Sequence, residues 1–216
     1  VTIPSPSAAP RFLTTAEDPE LRRAIMAACA MPDAAARWAE ATPTQSFETY
    51  DGERPVITRP IADQNIWDLD RADYVTIRGL EFSGGSAGLR ISAADHLTIE
   101  GCEIHDTADV ALRANDGGAV YRNLLIRHNH IHDTDGTGEG MYLGCNSDAC
   151  RVLDSVIERN WVHATNGATV VQGDGIELKE GSAGNVIRDN VIHDTHYPCI
   201  LTYAAAGNGP ANVIGR

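Results

Sequence analysis

One short phrase recurs along this chain, and the recurrence limits the fold more than any other feature does. Val156-Ile157-Glu158-Arg159-Asn160-Trp161-Val162-His163 realigns on Val186-Ile187-Arg188-Asp189-Asn190-Val191-Ile192-His193. Earlier copies run from Thr76 to Phe82, from Thr98 to His105 and from Leu125 to His132, and a shortened one closes the sequence at Val213-Ile214-Gly215-Arg216. Steps between Ile77, Ile99, Ile126, Ile157, Ile187 and Ile214 are 22, 27, 31, 30 and 27 residues. Self-similarity at such a period identifies a solenoid.

The period inside each repeat decides which solenoid. Apolar residues alternate with polar ones through two short segments joined by a sharp bend. After a variable insert comes a third segment, written Gly140-Met141-Tyr142-Leu143 in one repeat and Gly175-Ile176-Glu177-Leu178 in another. Three short strands per turn, rich in β-branched residues, predict an all-β, right-handed parallel β-helix. Leucine-rich repeats fit less well, because their leucine frame is missing and their period does not wander by nine residues. Twenty glycines and only 6% aromatic residues suit tight turns around a narrow interior.

Residues 1–50 lack this periodicity. A proline-rich lead-in precedes a helical pattern with Leu21, Ile25, Ala28 and Cys29 on one face, read as a cap over the end of the solenoid. The β-helix is assigned to residues 51–216. Its last repeat stops within a strand at Arg216, so a further segment or another chain is expected over that coil. The protein is expected to be monomeric unless that open coil associates.

A net charge of -13 opposes nucleic acid and anionic membranes as partners, since both call for cationic faces. No apolar run is long enough to span a bilayer. Five cysteines leave at least one unpaired. Cys145 and Cys150 lie in one polar loop and are candidates for a small disulfide, which would place the protein in an extracellular or periplasmic setting.

Aligned repeats give columns. The bend column reads Leu80, Cys102, Asn129, Asn160, Asn190, and its three asparagines are expected to stack and bond along the axis. A second column reads Ser83, His105, His132, His163, His193. Rungs about 4.8 Å apart stack imidazoles rather than converge them on one ion, so the structural reading is preferred.

In the third strand the columns stop being uniform. With Leu89, Leu112, Met141, Ile176 and Ile200 inward, the outward column reads Arg90, Arg113, Tyr142, Glu177, Leu201. Two places on, it reads Ser92, Asn115, Gly144, Lys179, Tyr203. Two places before the inward residue stand Glu139 and Asp174, each between glycines. Such mixed chemistry on one strand face marks it as the candidate site.

These repeats resemble the right-handed parallel β-helix, pectate-lyase-like superfamily. Gly173-Asp174-Gly175-Ile176-Glu177-Leu178-Lys179 followed by Asn185-Val186-Ile187-Arg188-Asp189-Asn190 resembles the alginate lyase and chondroitinase B family. The resemblance implies calcium at acidic residues before this strand and a lysine base at its end, which fall on Asp174 and Lys179. Leu201-Thr202-Tyr203 stands where that family carries an arginine-histidine-glycine segment.

On this reading the partner is an acidic polysaccharide and the chemistry β-elimination or epimerisation. Removing the C5 proton of a uronate requires its carboxylate to be neutralised and a base to lie within hydrogen-bond reach. Glu139 and Asp174 are candidate Ca²⁺ ligands. Lys179, Tyr203 and Glu177 are the candidate catalytic residues, and Arg90, Arg113 and Tyr142 the candidate substrate contacts. Two alternatives stay open: a β-helical glycoside hydrolase using Glu139 and Asp174 as its acid and base, and a non-catalytic glycan-binding stalk whose charged row is merely solvated.

Overall fold

The computed structural model describes residues 45–215, which form a parallel β-solenoid of three sheets. The expected helical cap lies outside the described residues. Gln45–Glu48 is a strand that joins the first sheet ahead of residue 51.

The first sheet stacks Gln45–Glu48, Val75–Arg78, Thr98–Glu100, Leu125–Arg127, Val156–Glu158, Val186–Arg188 and Val213–Gly215. The second stacks Val56–Arg59, Glu81–Gly84, Glu103–Thr107, His130–Thr134, Trp161–His163 and Val191–Ile192. The third stacks Trp67–Asp70, Leu89–Ser92, Leu112–Ala114, Met141–Leu143, Ile176–Leu178 and Ile200–Thr202. A smaller pair, Val120–Arg122 with Arg151–Leu153, fills one corner.

The register is the one the repeats dictate. Ile77, Ile99, Ile126, Ile157 and Ile187 face each other rung by rung in the first sheet. Ile104, Ile131 and Val162 do so in the second, and Leu112, Met141 and Ile176 in the third. All are buried, and each contributes roughly 1.5–3 kcal/mol by leaving water. No coil could bury these side chains alone, which is why the repeats must stack.

From Val75 onward the corner between the first and second sheets is two residues in each coil: Gly79-Leu80, Gly101-Cys102, His128-Asn129, Arg159-Asn160 and Asp189-Asn190. The first of each pair has positive φ, from +53° at Arg159 to +70° at Gly79. The second residue supplies the expected ladder. Asn129 and Asn160 each donate their amide to the next asparagine's Oδ1, at 2.9 and 3.0 Å, and also to the carbonyls of Ile99 and Ile126. That leaves the buried amides satisfied. A second ladder, which the repeat alignment did not single out, runs through Ser155, Asn185 and Asn212 at another corner.

Outward residues of the first sheet alternate in sign: Glu48, Arg78, Glu100, Arg127, Glu158, Arg188. Arg78 bridges Glu48 and Glu100, at 3.2 and 3.1 Å, Arg127 meets Glu100 at 3.0 Å, and Arg188 meets Glu158 at 2.6 Å. Among the described residues no helix is long and apolar enough to cross a membrane. Cys145 and Cys150 form a disulfide; Cys102 is free and buried, and Cys199 free and exposed.

Candidate functional site

The third sheet brings the expected columns together. Arg90, Arg113, Tyr142, Glu177 and Leu201 follow one another rung by rung. Just beyond them the Lys179 backbone N–H donates to Leu143 and that of Tyr203 to Leu178, which carries the ladder on to both residues.

Glycine on each side of the two acids has a local reason. Gly173 has φ of +70°, and a Cβ there would lie 2.0 Å from the Thr165 carbonyl oxygen. A Cβ on Gly175 would lie 2.5 Å from the Cys199 carbonyl oxygen. The threonines that follow the histidine column tie this segment down. Thr165 donates to the carbonyl of Gly173 at 2.7 Å, and Thr134 donates to that of Gly138. Each threonine therefore fixes the residue directly before an acid.

The sequence placed these side chains on an open strand face, and that part needs correction. Glu139, Asp174, Glu177 and Lys179 are 0, 0, 1 and 4% exposed. The insert between His163 and Ile176 packs on this end of the coil, with Val170 buried so close to Gly138 that a Cβ there would lie 2.6 Å from it.

Glu139, Asp174 and Glu177 each bring a carboxylate oxygen within 4.8 Å of the others. Both oxygens of Glu139, both of Asp174 and Oε2 of Glu177 lack a hydrogen-bond partner. Thr137 comes near Glu139, but its hydroxyl donates to Asp109 at 2.7 Å. Burial lifts the Glu139 carboxyl above its ordinary value. For Asp174, burial and then the charges of Glu177 and Glu139 push it up to about 6. Orphaned, converging carboxylate oxygens are the donor set that a hard cation such as Ca²⁺ takes. Sequence reasoning found two of the three acids for this role and placed Glu177 with the catalytic groups.

Lys179 pairs with Glu177 inside this burial. Its Nζ lies 4.6 Å from the ring centre of Tyr142 and 5.1 Å from that of Tyr203. Burial alone would lower the lysine, but the bonds to Glu177 and Tyr142 outweigh it and hold the ammonium above its ordinary value. Burial pushes the Tyr142 phenol up. The Tyr203 hydroxyl reaches Glu177 at 3.5 Å.

The arginines sit further down the same face. Arg113 donates to Asn65 at 3.1 Å and faces Asp109 at 3.6 Å, with its Nε unpartnered. An open recess lined by Arg59, Asn65, Asp68, Ser86 and Arg113 adjoins it. Arg90 is paired with Asp116 at 2.5 Å and Asp68 at 3.7 Å, so it is more fully engaged than Arg113.

A family model described as a right-handed beta helix region matches residues 65–213, and the chain belongs to that family. Among solved structures, an alginate lyase from Paenibacillus sp. str. FPU-7 superposes with a TM-score of 0.61 and 22% identity, covering 79% of this chain and 59% of that one. The chain thus spans about three-fifths of that lyase's length, and the likeness is one of fold. No curated protein matches.

Proposed function

We propose that this protein is a polysaccharide lyase acting on an acidic, uronate-containing glycan. One observation carries the reading: three buried carboxylates with unpartnered oxygens converge beside a buried lysine flanked by two phenols. A solvated face has no use for that arrangement. The β-helix fold and the alginate lyase of similar structure support it.

Glu139, Asp174 and Glu177 would hold the divalent cation, which when bound supplies positive charge to neutralise a uronate carboxylate. Arg113, which lines the recess, holds a second sugar carboxylate, and Arg90 extends the cationic row. Lys179 takes the C5 proton. To do so it must first release its own proton to solvent, which becomes possible once Glu177 no longer holds the ammonium. A phenol then protonates the leaving oxygen; Tyr203 reaches the carboxylates and Tyr142 lies nearer Lys179. Comparing Tyr142→Phe with Tyr203→Phe tells which of them does so.

A hydrolase of inverting type is disfavoured. Its two carboxyl groups stand about 6.5–9.5 Å apart to admit water, whereas these acids approach within 4.8 Å. An extracellular or periplasmic setting is part of the proposal and is supported by the Cys145–Cys150 disulfide.

The test is an assay of several polyuronates for the ultraviolet absorbance of the unsaturated product, with and without chelator. Absorbance that grows with enzyme and falls with chelator is expected. Saturated products or no turnover on any polyuronate would overturn the lyase reading.

A further inference from the structure

The histidine column stacks as the repeat spacing requires. His105 lies over His132 at 5.0 Å, His132 over His163 at 5.1 Å and His163 over His193 at 5.2 Å, all within 5° of parallel. A stack alone cannot converge on an ion. The neighbouring outward column of the second sheet changes this. That column reads Glu81, Glu103, His130, Trp161, Val191, and His130 leans across to His163 with the two Nε2 atoms 2.8 Å apart. We propose that His130, His132 and His163, with Glu103 beside them, bind a first-row transition metal cation of the zinc class.

Three ring nitrogens face one small space, and Glu103 stands next to two of the rings. One ring nitrogen from each of His130, His132 and His163 lies within 4.8 Å of the others. Glu103 Oε1 sits 3.2 Å from His130 Nδ1 and 3.3 Å from His132 Nε2. His132 Nδ1 lies 2.6 Å from an Asp133 carboxylate oxygen, and its Nε2 faces Glu103. A carboxylate on the far nitrogen of a ligating histidine is the usual way its lone pair is aimed. Zinc–nitrogen bonds near 2.0–2.1 Å put ligand nitrogens about 3.3 Å apart in a tetrahedron, so the His130–His163 gap needs to open only slightly.

The rest of the surface shows why this place is singular. His105 repeats the pattern with Asp106 at 2.7 Å and Glu81 at 3.3 Å, but on its own rung the neighbouring column holds Glu103 and not an imidazole. His193 Nε2 already accepts the indole N–H of Trp161 at 3.0 Å. Trp161 also stacks on His130, with ring centres 4.2 Å apart, and fixes the ring that completes the set. A recess lined by Glu81, Glu103, His128 and His130 gives access. Imidazole donors suit zinc, nickel and copper, whereas the all-oxygen cluster on the third sheet suits calcium. The two sites are therefore separable.

The experiment uses the full chain without a histidine tag, stripped with chelator and titrated with Zn²⁺ against a chromophoric competitor. One Zn²⁺ per chain is expected, and Co²⁺ in its place should give the intense visible bands of four-coordination. His130→Gln and His163→Gln should each weaken binding at least about 100-fold, more than loss of an outer partner does, while His193→Gln leaves it intact. Melting temperatures in chelator check that the variants fold. Absence of stoichiometric binding, full binding in both variants, or a weak six-coordinate Co²⁺ spectrum in the unsubstituted chain would overturn the site. Should a variant fail to fold, the Co²⁺ spectrum decides. Lyase assays play no part, so failure of the lyase proposal leaves this one standing.

Discussion

Two outward faces of the same helix carry charge, and they treat it in opposite ways. On the first sheet each acid has an arginine in the next rung. Burial pushes Glu100 up, but Arg127 and Arg78 more than cancel it and hold the carboxyl below its ordinary value. On the third sheet three acids crowd together, only Glu177 of them pairs with Lys179, and Asp174 rises to about 6. The first face is what a solvated row of alternating charge looks like. The second keeps acids close together and out of water at a cost to the fold, which the proposed cation and substrate would offset. The asparagine ladders make the same point, because polar groups buried there have all been satisfied.

The comparison can be broken first at Lys179. Lys179→Ala should lower turnover by roughly 10²–10⁴-fold, as loss of a general base does, while largely preserving substrate binding. Steady-state kinetics beside a binding titration will check it, and full activity would return the third face to the solvated class.

Asp174→Asn comes next. In chelator, the unfolded chain loses the Asp174 proton near 3.8 and the native chain only near 6, so native protein binds more protons between these values. Stability should therefore fall as pH rises from about 4 to 6 and level off above, by roughly 3 kcal/mol. Asp174→Asn should flatten that fall and also abolish any rise in melting temperature on adding Ca²⁺. Denaturation midpoints at pH 4, 5, 6 and 7, taken with and without the cation, give both answers.

Asn160→Ala removes a satisfied group and leaves its partners without bonds, which should cost about 1–3 kcal/mol. Its response to Ca²⁺ should match that of the unsubstituted chain. An unchanged urea midpoint would mean that the ladder holds nothing.

The smallest effect is expected on the first face. Arg127→Ala should change stability by about 0–1 kcal/mol, and less in high salt, because the pair is partly exposed. A loss as large as that at Asn160 would make this face more than a solvated row.

Much of this was legible in the sequence. Ile77 through Ile187 gave the register, Asn129, Asn160 and Asn190 the bend ladder, and the departure from uniform columns gave the third sheet. The resemblance of Asp174 to Lys179 to a lyase family pointed to the same strand. Burial was not legible, because it depends on how the insert before Asp174 folds back, and that insert has no counterpart of equal length in other coils. Glu177 was assigned with Lys179 because strand alternation reports direction, not distance to a neighbouring corner. The Ser155 and Asn185 ladder was visible in principle, since each residue stands two places before an aligned isoleucine. His130 was passed over because its meeting with His163 is diagonal, across both rung and column.

From Val75 onward the corner between the first and second sheets keeps one length, while the segments flanking the third sheet range from a few residues to more than ten. This divides the coil into a part that keeps phase and a part that carries variety. One residue added at Arg159-Asn160 would turn the inward side chain of Val162 outward and break the asparagine ladder at that rung. A residue added between Thr165 and Gly173 changes only the shape of a wall, because the next coil is indexed again at its own corner. Descendants of such a chain can reshape what they hold without relearning how to wind.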